Sequence, residues 1–422
     1  MRAKSRLEPL LAAIGGIYVT QSMVTGIAMM SVPALLRAAG VSLQWIGMAS
    51  LFMLPWALKF LWAPMVERWR LPVDRPERRS RPLILAGQWL LAAVLLTTAL
   101  FGALSVRGSH GLRLDSVWLM VALLIAAFLA ATMDIACDGF AVDQLAAHQR
   151  GWGNVAQVGG SYLGIAIGGS AFLLVAQVSG WPAALASAGL LAALLTLPLL
   201  AVGEAPRPAG AELGHRPALR HAFGDAQVRR GLLLTLICGA GVRLAAGMLT
   251  PLLIDRGASV ALVGLLNGVL GVGCGLAGTL GGGLLVRRTG ACRAVAVAVA
   301  LETAVLLALM LAAHTASVEL LATLLGLKLA AMACAFVAIY SLLMGWASPR
   351  QAGVDFTLFQ CADALIAASA GMAGGLMAHR WGYGACFAVA TALSALATLY
   401  TVHLWTSRTN ALAPPSAPTH AP

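Results

Sequence analysis

Charge is scarce in this sequence. Lys, Arg, Asp and Glu make up 10% of its 422 residues, where a soluble domain carries about 25%. With 60% of residues hydrophobic, no water-soluble core could absorb so much apolar chain. Lysine is rarer still, confined to Lys4, Lys59 and Lys328. None stands in the Gly-Lys-Ser/Thr setting that cradles nucleotide phosphates, so the chain carries no nucleotide-driven motor of its own. The eight histidines fall in loops, span ends or the tail, and no cluster of them could hold a catalytic metal. The seven cysteines lie in or beside apolar runs without metal-ligand spacing, as small core residues rather than disulfides. A Gly-x-Ser-x-Gly nucleophile elbow is missing, as is the strand alternation of a membrane barrel. These absences argue against an enzyme, and no cofactor is expected.

What is present is a series of apolar runs of roughly 20 residues, the length that crosses a bilayer as a helix. They place spans near 10–36, 45–65, 82–105, 116–140, 154–178, 181–203, 230–253, 261–285, 292–313, 317–344, 355–379 and 383–405. The basic start Met1-Arg-Ala-Lys-Ser-Arg6 leads into an apolar run too long for a signal-peptide core, so the first span is expected to stay uncleaved. The expected architecture is all-α and integral to the membrane, with twelve helices.

Lys and Arg orient it. Twenty lie at the N-terminus, in the even-numbered loops or after the last span, against five in the opposite loops: Arg37, Arg107, Arg113, Arg256 and Arg380. The positive-inside rule then puts both termini in the cytoplasm. The net charge of +12 is spread between apolar runs rather than gathered in one patch, which argues against a nucleic-acid partner.

The longest polar stretch, 204–229, splits the chain into an N-terminal half, 1–203, and a C-terminal half, 230–405, followed by a tail, 406–422, expected to be disordered. An echo links the halves: Arg150-Gly-Trp-Gly153 and Arg350-Gln-Ala-Gly353 stand 200 residues apart, each leading into a Gly-rich span. Glycines four residues apart, as at Gly160, Gly164 and Gly168, let helix backbones approach closely. They serve either fixed packing or faces that slide as the halves move.

Ionisable groups inside spans cost a few kcal/mol on insertion scales, so each needs a reason. Asp134 and Asp138 sit four apart on one face of the fourth helix. Lys59, in the second, lies at similar depth. They form a proton or substrate site, or an ion pair that only fixes helix packing, or else snorkel to the interface. Arg243 and Lys328, near mid-span in the seventh and tenth helices, suit an anionic substrate or else pair with Glu302; Asp363 is a further counter-ion. Glu67, Arg68, Asp143 and Arg150, with Asp355, sit at cytoplasmic helix ends, where gate or capping roles are expected. Tyr18, Gln21, Trp56, Gln157, Tyr162, Asn267, Tyr340 and Gln360 could line a pocket. Tyr and Trp near span ends are more often interface anchors, and Gln21, Gln157, Tyr162 and Asn267 are read as deep enough to contact a substrate.

Two stretches carry a family resemblance. Leu54-Pro-Trp-Ala-Leu-Lys-Phe-Leu-Trp-Ala-Pro-Met-Val-Glu-Arg68 resembles the second-helix ending of one major facilitator branch, which holds muropeptide permeases, acetyl-coenzyme A transporters and the RhtX/FptX siderophore importers. Ala131-Thr-Met-Asp-Ile-Ala-Cys-Asp-Gly139, continuing to Arg150-Gly-Trp-Gly-Asn-Val-Ala-Gln-Val-Gly-Gly160, looks most like the siderophore importers. The resemblance implies the major facilitator fold in the inner membrane and proton-driven import of a siderophore or its iron complex, pyochelin-like or rhizobactin-like, with a muropeptide as the alternative cargo. It makes Lys59, Asp134 and Asp138 the coupling or binding positions. The expected partners are that small molecule, membrane lipid and protons, with the chain acting as a monomer.

Overall fold

A computed structural model describes residues 4–38, 52–107, 113–208, 214–313 and 317–412. Among the described residues every regular element is helical, because hydrocarbon offers backbone groups no partner and a helix satisfies them within one segment. The long helices are α1 (Leu7–Leu35), α2 (54–70, broken), α3 (Ser80–Leu104), α4 (Trp118–Gln144), α5 (Ala147–Ser179), α6 (Trp181–Leu200), α7 (Ala226–Asp255), α8 (Leu262–Thr289), α9 (Ala291–Ala312), α10 (Val318–Trp346), α11 (352–381) and α12 (383–407). The start of the second expected span, 45–51, lies outside the described residues, as does the tail beyond 412. Residues 406–412, read from sequence as disordered tail, instead continue the last helix.

The joints repeat between the halves. α5 passes to α6 through Gly180 (φ 83°), and α11 to α12 through Gly382 (φ 81°). A left-handed residue turns the chain between two helices with no loop, and glycine adopts it without Cβ strain. α1 and α5 pack backbone to backbone, since a methyl group at Gly164 or Gly168 would collide with the carbonyls of Val19 or Met23. Gly151 and Gly159 of α5 face α8 of the second half, whereas Gly160, Gly164 and Gly168 of the same helix thus pack against α1 within the first. There the helices widen into π-turns, Ile27–Ser31 and Ile167–Ala171, and the Ser31 hydroxyl reaches the Gly168 carbonyl oxygen at 2.7 Å.

The apolar core shows how the halves meet. On the side carrying the termini one core draws on both, joining Ile14, Val66 and Phe140 to Leu343, Phe356 and Phe359. On the far side it divides. Met23, Ile27, Leu91 and Leu185 pack within the first half, while Leu249, Leu253, Leu306 and Phe387 pack within the second. Among the described residues the halves share a core on the side of the termini and have separate cores on the other.

The linker is strapped to this closed side. Arg207 donates its backbone N–H to Pro76 O at 2.9 Å and its Nη2 to Pro72 O at 2.7 Å. Arg68 Nε donates to Pro217 O at 3.1 Å, and the Ala218 N–H donates to Gln351 Oε1 of the second half at 3.1 Å. A short helix, Leu219–Gly224, then leads into α7.

Candidate functional site at the central cavity

The site starts from an interruption in α2. Pro64 has no N–H to give and its ring crowds the carbonyl four residues back, so a regular helix cannot continue through it. The chain runs as an α-helix over Leu54–Leu58, tightens to a 3₁₀ turn over Lys59–Leu61, and resumes over Ala63–Arg70. Lys59 stands at this break, 2% exposed. Its ammonium pairs with Asp134 of α4 and also donates to Gln360 Oε1 of α11, in the other half. The other Asp134 oxygen takes a hydrogen bond from Gln21 of α1, whose amide, turned to face it, lies at 2.9 Å.

One helical turn on, Asp138 is fully buried. It accepts from the Tyr18 hydroxyl and from Gln157 Nε2, the latter at 3.1 Å, and Gln157 also donates to Tyr18. Its Oδ2 is buried without a hydrogen-bond partner among the described residues. α1, α2, α4 and α5 therefore supply two polar groups one turn of α4 apart, one joining Gln157, Tyr18 and Asp138 and the other joining Gln21, Asp134 and Lys59.

Tyr18, Gln21, Lys59, Asp134 and Gln157 from these groups form one wall of a cavity of about 450 Å³. Trp56, Tyr162, Phe336 and Tyr340 supply aromatic surface, and Gln360 closes it from the second half. A mostly apolar lining with a few convergent polar groups is the usual make-up of a small-molecule site. Tyr18, Trp56, Tyr340 and Gln360, named from sequence as possible pocket residues but not as deep enough to contact a substrate, are thus part of the cavity along with Gln21, Gln157 and Tyr162. Position along a span gives depth but not rotation about the helix axis, and rotation decides which side chains face inward. Asn267, also expected there, lies outside the described side chains.

Arg243 and Lys328 do not line this cavity. Arg243 makes a two-pronged pair with Asp363 of α11, Nη2 to Oδ2 at 2.5 Å and Nε to Oδ1 at 3.3 Å, and its guanidinium lies 4.9 Å from the Phe336 ring centre. The partner of Arg243 is thus Asp363 rather than Glu302. Lys328 donates to the Ala246 carbonyl at 3.4 Å. Lys328 and Glu302 are each 4% exposed, and neither forms an ion pair among the described residues. Glu302 instead lines a smaller cavity beside the central one, together with Arg243, Phe336 and Asp363.

Below the cavity, toward the termini, lies a second charged group. Arg70, fully buried, is held by Glu67 at 2.6 and 2.7 Å, by Ser80 at 3.1 Å and by Asp143. Arg78 adds a contact to Asp143 at 3.1 Å. Glu67 in turn accepts the Gly353 N–H of α11 at 3.1 Å, tying the halves together. Sequence reasoning took Glu67, Arg68 and Asp143 as helix-end residues but missed Arg70, which it counted as a loop charge. Its place three residues after Glu67, on the same helix face, was the available signal. Arg150, the fourth helix-end residue, lies apart from this group.

Among the described residues ten helices are long and apolar enough to cross a membrane, the last of them bent at Gly382 into α11 and α12, and with the broken α2 they enclose buried charges around a cavity between two halves, the make-up of a helical membrane protein built from paired half-domains. The profile of the Major Facilitator Superfamily matches residues 14–316 and 231–421, and the chain belongs to that family. The anhydromuropeptide permease of Escherichia coli K12 is 30% identical over 270 residues, which cover 62% of this chain and 52% of that permease. The chain thus spans about half the length of the curated relatives it matches. Among solved structures, a bacterial homologue of the iron transporter ferroportin in the outward-facing state superposes with a TM-score of 0.66 at 19% identity, covering 95% of this chain and 100% of that one. The human organic anion transporter MFSD10 gives 0.67 at 16% identity, covering 93% and 99%. At such identities the likeness is one of fold.

Proposed function

We propose that this chain is a proton-coupled secondary transporter of the inner membrane that imports a muropeptide, a sugar–peptide fragment of the cell wall. The observation that carries the reading is Lys59, a buried cation at the cavity wall that touches Asp134 in its own half and Gln360 in the other. With the arginine-rich face in the cytoplasm, the closed side faces inward and the cavity opens to the periplasm. A proton arriving on Asp134 cancels its hold on Lys59, and the freed ammonium takes up a carboxylate of the cargo. Moving Lys59 also loosens its contact with Gln360, so loading is coupled to the seam between the halves. Asp138, with Tyr18 and Gln157, holds the next proton position one turn away. The aromatic walls give the sugar rings flat apolar surface. The permease relative supports the choice of cargo.

A second reading keeps the mechanism and changes the cargo to a siderophore or its iron complex. It rests on the likeness of Trp152, Gly153, Asn154 and Gln157 to the siderophore importers, and Gln157 stands in the cavity. The test is uptake of radiolabelled anhydromuropeptide, and in parallel of pyochelin-like and rhizobactin-like complexes, by membrane vesicles containing the chain. Uncoupler-sensitive accumulation of the muropeptide alone is expected. Accumulation of a siderophore and not the muropeptide would replace the first reading with the second, and uptake unaffected by uncoupler would remove the proton coupling.

A further inference from the structure

On the closed side, away from the Glu67–Arg70 group, a cavity of about 630 Å³ opens where the ends of α5, α8, α9, α10 and α12 come together. His148 and Arg150 line it from the first half, Arg287 and Arg293 from the second. No Asp or Glu lines it, and none of the three arginines forms an ion pair among the described residues. Two of them are already held in place. The Arg293 guanidinium lies 5.1 Å from the Trp405 ring centre, a stacking that fixes its plane. Arg150 packs so closely on Gly345 that a Cβ there would lie 2.9 Å from its Nη1, and its Nε is buried without an acceptor among the described residues. Like charges gathered in a pocket repel one another and leave donors unmet, and a multivalent oxyanion relieves both. All these residues sit at helix ends on the arginine-rich face, the depth of lipid headgroups, where basic pockets between helices take anionic ones.

We propose that this cavity binds a phosphate group, either the phosphodiester of an anionic lipid or a free phosphate, and that the bound anion latches the two halves on the closed side. One phosphate reached by Arg150 from the first half and by Arg287 and Arg293 from the second has to be given up before the seam can open.

The test uses the purified full-length chain in a neutral detergent. Thermal unfolding and native mass spectrometry follow titration with phosphatidylglycerol, phosphatidylcholine or inorganic phosphate. Phosphatidylglycerol is expected to raise the Tm and remain bound where phosphatidylcholine does not. The double variant R287Q/R293Q is expected to bind it about tenfold more weakly or worse, while R216Q/R230Q, with the same charge change on the exposed linker and the start of α7, matches the unaltered chain. Gly345→Ala, which displaces Arg150 without removing charge, is expected to weaken binding as well. Stabilisation by inorganic phosphate assigns the site to a soluble anion, and stabilisation by the lipid alone assigns it to a headgroup. Equal binding of the two lipids with no effect of phosphate, or unchanged binding by R287Q/R293Q, would overturn the proposal.

Discussion

At the scale of single residues, Lys59 and Asp134 invite a test that separates stability from transport. Removing one member of a buried pair strands the other charge, at a cost of about 3–5 kcal/mol, whereas replacing both with apolar side chains of similar size is often neutral. Lys59→Met alone is therefore expected to lower the Tm sharply, and Lys59→Met with Asp134→Leu to recover most of it while uptake stays lost. Transport by the double variant would reduce the pair to a packing device. The legibility of the site follows from the same energetics. Lys59, Asp134 and Asp138 stood out because a charge inside an apolar run is costly wherever it occurs. Arg70 did not, because it adjoins a polar, arginine-rich loop and its burial depends on Asp143, 73 residues away. Nor could sequence choose between Glu302 and Asp363 as the partner of Arg243, since both lie at the right depth and only helix rotation distinguishes them.

At the scale of the helix, the break in α2 sets where Lys59 points. Pro64→Ala is expected to let the 3₁₀ turn relax into regular helix and swing Lys59 off Asp134. Uptake should then fall at least tenfold with the amount of folded protein unchanged, since a proline inside a helix costs about 3 kcal/mol. Rate and membrane abundance measured side by side check this. The latch between α2 and α11 offers a second test. Gly353 is the room Glu67 needs, because a methyl group there would strike its carboxylate. Gly353→Ala is expected to weaken closure on the side of the termini, read as faster thiol labelling of a cysteine placed at Ser341 in a background freed of the native cysteines. The spans themselves were legible from runs of apolar residues. The π-turns in α1 and α5 were not, because no residue type marks a widened turn and the pairing of two helices stabilises it.

At the scale of the whole molecule, the single core on one side and the divided core on the other call for a hinge-like exchange between two closures. Asn154 Nδ2 of the first half lies 3.2 Å from Ser341 Oγ of the second. Cysteines at both positions, again without the native ones, are expected to cross-link under oxidation and stop uptake, with reductant restoring it. A cross-linked protein that still transports would mean the seam need not open.

Gly180 and Gly382 leave no slack between an inner helix and the outer helix that follows it. Whatever tilt α5 or α11 undergoes, α6 or α12 must follow in step, sweeping through the surrounding acyl chains. Drag from the bilayer therefore acts directly on the stroke, and turnover is expected to slow as the membrane is made more viscous even when cargo and proton supply are held constant.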